Sequence, residues 1–168
     1  MYFKKFPTYE YDVQDNQYRT LITDILRRVN LKGNVAANTL VFDQYNVQDG
    51  EQPDIVARKY YGDSELHWII VTVNNITSRY DWPLDQVALS DFVSDKYDNP
   101  DGIHHYEINA TSGDTTKKLI VSSDTTGALP VTNYEHEEIQ NDNKRRIRIL
   151  DRAYVSKFTD EFRNLIRR

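Results

Sequence analysis

Between residues 45 and 75 the alternation of apolar and polar positions changes its period. Tyr45-Asn46-Val47 alternates as a short strand does, and Asp49-Gly50 supplies turn chemistry. Gln52-Pro53 opens a helix, because proline is tolerated in the first turn, where its missing N–H has no intrahelical acceptor. Tyr61-Gly62-Asp63 ends that helix and starts another: glycine adopts the left-handed stop freely, and aspartate caps the next N-terminus. Leu66, Ile69, Ile70 and Val73 then recur on one helical face before an Asn74-Asn75 turn. The pattern predicts strand, helix, helix, turn.

The flanks yield to the same reading. Residues 1–17 carry Phe3, Phe6, Tyr9 and Tyr11 without a sustained period, as an extended arm docked on something would. Leu21, Ile22, Ile25, Leu26 and Val29 make a helical stripe, with Thr20 as cap and Arg27-Arg28 suited to the C-terminal dipole; Lys32-Gly33-Asn34 breaks it. Leu40, Val41 and Phe42 lead into the strand at Tyr45. After Trp82-Pro83 a weakly helical segment runs to Tyr97, with Val87, Phe92 and Val93 as its apolar residues, and residues 98–102 form a loop. Residues 104–110 and 117–122 predict a β-hairpin around Ser112-Gly113-Asp114. Residues 123–133, rich in Ser, Thr, Gly and Pro, are expected to be the least ordered part.

From Glu135 to Asn143 the chain is acidic and reads as a helix. Ile147 and Ile149 then alternate with Arg146 and Arg148, a strand with one apolar and one basic face. Asp151 caps a terminal helix carrying Tyr154, Phe158, Phe162, Leu165 and Ile166 on one stripe. A helix of that length is marginal alone in water, so the stripe must pack against its own domain or a partner. The fold class is α+β, in four parts: an N-terminal arm and helix (1–43), a strand-helix-helix unit (44–83), a helix, hairpin and loop region (84–143), and a basic strand with an amphipathic helix (144–168).

Charge adds an asymmetry. The net charge is −5, yet residues 144–168 carry +6 and the rest −11. Such a distribution suits head-to-tail contact between copies, or a basic tail on an acidic partner. The basic segment has an apolar stripe and no aromatic platform motif, which argues against nucleic acid. Twelve tyrosines are a rich supply of interface side chains. With no cysteine, the chain has neither disulfides nor thiolate metal sites, as expected of assembly in a reducing compartment. The N-terminal residues lack a signal-peptide core, and no apolar run could span a membrane.

Candidate chemistry is sparse. His104 and His105 are adjacent, so regular strand geometry would point them to opposite faces, and His136 lies among Glu135, Glu137 and Glu138 with no second cluster spaced to complete a zinc site. No metal or cofactor is expected. Residues 95–102 fail the calcium-loop pattern at Pro100, and phosphate-binding glycine loops and nucleophile elbows are absent. No catalytic set emerges.

Tyr45, Val47, Asp49-Gly50-Glu51 and Pro53, then Ile55-Val56-Ala57 with Tyr60-Tyr61-Gly62, then Trp68 and Asn74, together resemble a LysM module, a small β-α-α-β unit. LysM modules usually bind N-acetylglucosamine polymers. The resemblance would place a glycan groove at Asp49, Gly50 and Glu51 on one side and Asn74, Asn75 and Ile76 on the other. Two features depart from a sugar reader. The second helix is apolar nearly all round, and Trp82-Pro83 interrupts the expected closing strand, since proline cannot donate to a ladder.

The order of parts resembles something more specific. Thr23-Asp24-Ile25-Leu26-Arg27-Arg28, the LysM-like unit, the region of His105-Tyr106, and the run from Asn141 to Ile166 together look like the LysM-like baseplate wedge subunit of T-even-like contractile-tailed bacteriophages. The resemblance implies a non-enzymatic virion protein of the tail baseplate, assembled in the host cytoplasm and arranged with sixfold symmetry. Its implied partners are other wedge proteins, including the helical wedge core and the lysozyme-like sheath-initiating protein, with neither nucleic acid nor membrane involved. The chain would then clamp neighbouring wedges, closing the ring around the tail hub. Candidate docking residues are Tyr61, Trp68 and Trp82 around the module and Arg145, Arg146, Arg148, Phe158 and Phe162 in the tail, with some of them, Trp68 above all, better suited to plain core. The rival reading is a peptidoglycan-binding LysM protein.

Overall fold

The computed structural model describes residues 2–12, 15, 17–29, 39–110 and 117–167. The break expected at Lys32-Gly33-Asn34 and the hairpin turn expected at Ser112-Gly113-Asp114 lie outside them. In chain order the elements are β1 (Thr8–Tyr11), β2 (Thr20–Thr23), β3 (Phe42–Asn46), α1 (Pro53–Tyr61), α2 (His67–Val73), α3 (Gln86–Lys96), β4 (Ile103–Asn109), β5 (Lys118–Val121), β6 (Leu129–Thr132), α4 (Asn133–Arg145), β7 (Arg146–Leu150) and α5 (Val155–Ile166), with short 3-10 turns between some of them. The fold is α+β, as expected. Two compact units divide the chain: residues 1–46, 51–79 and 147–168 form one, and residues 47–50 and 80–146 the other.

The first unit gathers three distant stretches around one core. Phe6, Trp68, Ile69, Val73, Leu150, Phe162 and Ile166 are buried together. Pro53 stands at the start of α1, and Gly62 closes it at φ +82°, donating its N–H to the Arg58 carbonyl. Asp63 then caps the 3-10 turn Ser64–Leu66 through the Glu65 N–H at 2.9 Å, and α2 follows with Trp68, Ile69, Ile70 and Val73 buried. The strand that pairs with β3 is β7, about a hundred residues later in the chain. A strand, two helices and a strand are therefore present, but the last comes from a remote segment. The interruption at Trp82-Pro83 is thereby explained: no strand is needed there.

Residues 20–23 overturn an expectation. In place of a helix capped by Thr20 they form β2, antiparallel to β1, with Thr8 opposite Thr23 and Tyr11 opposite Thr20. Thr20, Ile22 and Thr23 are β-branched and lose χ1 freedom in a helix, whereas an extended partner at residues 8–11 accepts them readily. Most of this ribbon's side chains are exposed.

The second unit contains a three-stranded antiparallel sheet of order β5-β4-β6, with α3 and α4. The stretch expected to be least ordered supplies β6, which pairs with β4 along Leu129 to Thr132. Thr132 ends that strand and caps α4 by a complete capping box: its hydroxyl accepts from the Glu135 N–H, and the Glu135 carboxylate accepts from the Thr132 N–H at 2.8 Å. Asn141, 3% exposed, accepts from the Leu84 N–H at 2.7 Å and donates to the Leu84 carbonyl at 2.9 Å. Trp82, Leu89, Val93 and Val131 are buried in the same unit.

Candidate functional site

The residues expected to form a glycan groove are engaged in the fold. Glu51 is buried and accepts hydrogen bonds from the Tyr45 hydroxyl and the Lys59 ammonium. The Asn74 side chain donates to the Arg148 carbonyl at 2.7 Å and accepts from the Arg148 N–H at 2.9 Å, satisfying β7 as a neighbouring strand would. Asn75 takes φ +52° and accepts from Arg28 at 3.4 Å, and the Ile76 N–H is held by the Val71 carbonyl. Beside Asn75 and Ile76 lies a depression of about 250 Å³, also lined by Arg28, Val71 and Thr77. Asp49 and Gly50 belong to the other unit, where Asp49 is paired with Arg145 at 3.0 Å.

The aromatic docking candidates sit deeper than a surface would require. Trp68 is 4% exposed and lies 4.6 Å from Phe162 and 5.8 Å from Phe158, ring centre to ring centre, with the Lys5 ammonium 4.1 Å over its ring. Phe162 and Trp82 are buried, and Phe158 is half-buried. Phe158, Phe162 and Ile166 of the terminal stripe thus pack into their own unit, while Tyr154 and Leu165 stay exposed. Tyr61 donates its hydroxyl to the Leu150 carbonyl at 3.0 Å, tying α1 to β7.

Among the basic candidates, Arg145 is an internal brace. It pairs with Asp49 and Asp142, each at 3.0 Å, and reaches the Val47 and Leu84 carbonyls at 3.4 Å. Arg146 and Arg148 are exposed, the Arg148 guanidinium lying 5.4 Å from the Phe42 ring centre.

Two tyrosines carry a pH signature. Burial, aided by hydrogen bonding to Asp43, pushes the Tyr60 phenol up to about 12. Burial also raises Tyr61, with neighbouring Tyr60 adding to it. Unfolded phenols ionise near pH 10, so between there and about 12 the unfolded state binds fewer protons and stability falls as pH rises. Tyr60→Phe is expected to lose less stability than wild type when the pH is taken from about 8 to about 11. Urea midpoints at the two pH values measure this; equal losses in both proteins would refute it.

Exposed apolar groups concentrate near the N-terminus. Tyr9 and Tyr11 lie on one face of the β1–β2 ribbon, their rings 6.2 Å apart. Tyr18, Leu21, Ile25 and Leu26 are also exposed, Leu26 at 86%. The sequence suggested a docked arm here but not its form.

One cluster in the second unit was missed. The imidazoles of His104, His105 and His136 converge, with one nitrogen from each lying within 4.8 Å of the other two. The expected opposite orientation of His104 and His105 does not hold, because β4 has an irregularity there: Ile103 pairs with Thr132 and His105 with Val131, so two steps on β4 match one on β6. Such a bulge re-aims side chains. The two Nδ1 atoms stand 2.9 Å apart. His136, in the first turn of α4, stacks on His104 at 3.9 Å. Nothing in the residue types around His104 signals a bulge.

Among the described residues, no helix is long and apolar enough to cross a membrane. A family model described as base plate wedge protein 53 matches residues 1–126. No curated protein matches the chain.

Proposed function

The chain belongs to the base plate wedge protein 53 family, a structural component of the phage baseplate, and on that premise we propose that it joins neighbouring wedges and helps close six of them into a ring around the tail hub. The observation that carries this reading is the exposed β1–β2 ribbon beside a closed core. A two-stranded ribbon is marginal in water, and Tyr11, Leu21 and Leu26 leave apolar surface uncovered on it and just after it. A protein surface that completes this ribbon would stabilise it and hide those groups. The opposite local charges of the two parts of the chain add a second complement, suited to the heterologous contacts that generate closed rings.

On this reading the partners are other wedge proteins, the helical wedge core and the lysozyme-like sheath-initiating protein among them. The β3-α1-α2-β7 set is a LysM-like unit turned to protein docking, its groove residues Glu51 and Asn74 committed to Lys59, Tyr45 and β7. Arg146 and Arg148 on the basic face of β7 are exposed tail residues that a partner would meet.

The combined variant Tyr11→Ser, Leu21→Ser, Leu26→Ser leaves the core intact and tests the reading. Its thermal midpoint should match wild type. Truncating anchoring side chains at an interface costs about 2 kcal/mol or more each, so unjoined wedges should accumulate and complete baseplates be lost. Complementation of a phage lacking the gene, scored by electron microscopy of baseplates, is the measurement. Normal yields of complete baseplates would overturn the proposal.

A further inference from the structure

We propose that His104, His105 and His136 bind a single divalent transition-metal ion, zinc by donor type, through three imidazole nitrogens with a fourth position open to water. Three of the chain's four histidines meet at this one place, although 31 residues separate His105 from His136. The backbone that presents them is fixed from several directions. The bulge at His104 turns two adjacent imidazoles to one side of β4. The Thr132–Glu135 capping box sets the start of α4, and with it His136. The Asn133 N–H donates to the Gly102 carbonyl at 2.9 Å and its side chain to the Asn99 carbonyl at 2.9 Å, tying that helix start to the loop before β4.

The spacing is that of a ligand set. Two nitrogens bound at about 2.0–2.1 Å to a tetrahedral zinc stand about 3.4 Å apart. The His104 and His105 nitrogens are at 2.9 Å, and the third lies within 4.8 Å of both. The His104 and His136 rings lie stacked at 8°, so one of them must also turn about its broad χ2 torsion to bring its in-plane lone pair onto the ion. Nitrogen donors with no carboxylate among them select zinc, cobalt or nickel over magnesium and calcium.

The surroundings fit the same role. His105 turns its Nε2 toward Glu107 at 4.0 Å, leaving Nδ1 on the side of His104. A carboxylate behind a ligating imidazole fixes its tautomer and raises its basicity. Glu107 also pairs with Lys118 at 3.4 Å. Lys96, the cation nearby, is neutralised by Glu137 at 2.7 Å.

Tag-free full-length protein, stripped with chelator, is titrated with cobalt by visible absorption and with zinc by calorimetry. One equivalent should saturate it, with the intense spectrum of tetrahedral cobalt, and zinc should displace the cobalt. Losing the carboxylate behind a ligating imidazole costs metal sites about 10–100-fold, so Glu107→Gln should weaken binding in that range and His136→Ala or His105→Ala by more than about 100-fold. His104→Gln, at an exposed position, does the same without touching the core. His67→Ala, in the other unit, should leave binding unchanged. Circular dichroism checks that each variant is folded. No saturable binding by wild type, full binding by His104→Gln, or loss in His67→Ala would each overturn the proposal.

Discussion

Replacing Phe162 by alanine is expected to destabilise the first unit by about 3–5 kcal/mol, the range for emptying a buried aromatic site. The ring is 3% exposed and touches Trp68, Phe6 and Tyr2, with centroid distances of 4.6, 6.3 and 5.7 Å. Its loss opens a cavity where three remote segments meet, and none of them can collapse without moving another. Phe162→Leu keeps most of the volume and should cost far less. The chain's two tryptophans fall one in each unit, so a Trp82→Phe background leaves Trp68 to report on this unit alone. A fall in Tm on the order of 10 °C is expected there. An unchanged midpoint would show that Phe162 does not carry the core.

The second large effect lies in the other unit. Asn141→Ala should cost about 1–3 kcal/mol, because it leaves the Leu84 N–H without its acceptor and takes the shorter bond from the Leu84 carbonyl, to which Arg145 still donates at 3.4 Å. Asn141→Asp separates the two contributions: aspartate still accepts from the Leu84 N–H but has no donor for the carbonyl, and it places a charge at a buried position. Both substitutions should therefore destabilise. Urea titration in a Trp68→Phe background, with Trp82 as the reporter, makes the measurement. Wild-type stability in Asn141→Ala would mean that water or backbone adjustment replaces the amide.

What could be read from residues alone follows from which interactions are local. The succession of β3, α1 and α2 is written in Pro53, Gly62 and Asp63, each acting within a few residues of its position. The terminal helix and the Arg146–Leu150 strand were legible for the same reason, through strict periodicity. The partner of β3 was not legible, because strand pairing is settled by tertiary contact, and β7 lies beyond an entire second unit. The strand at Leu129–Thr132 was hidden by its turn-like composition, Pro130 included; β6 is an edge strand, where proline is tolerated. The docking candidates divided on a related point. Spacing identifies an apolar or basic face, but whether Phe162 or Arg145 spends it inside the molecule depends on segments far away in sequence.

The same arrangement sets an order on biosynthesis. The first unit's core joins Phe6 and Trp68 to Leu150, Phe162 and Ile166, so it cannot close until the ribosome has released the last of these. Residues 80–146 can complete their own contacts earlier, while the emerged N-terminal stretch waits with Trp68 and Ile69 unpacked. Long-range closure of this kind is slow, and the waiting chain is vulnerable to proteases and aggregation. Translation that stops before α5 is made therefore yields chains without a finished first unit.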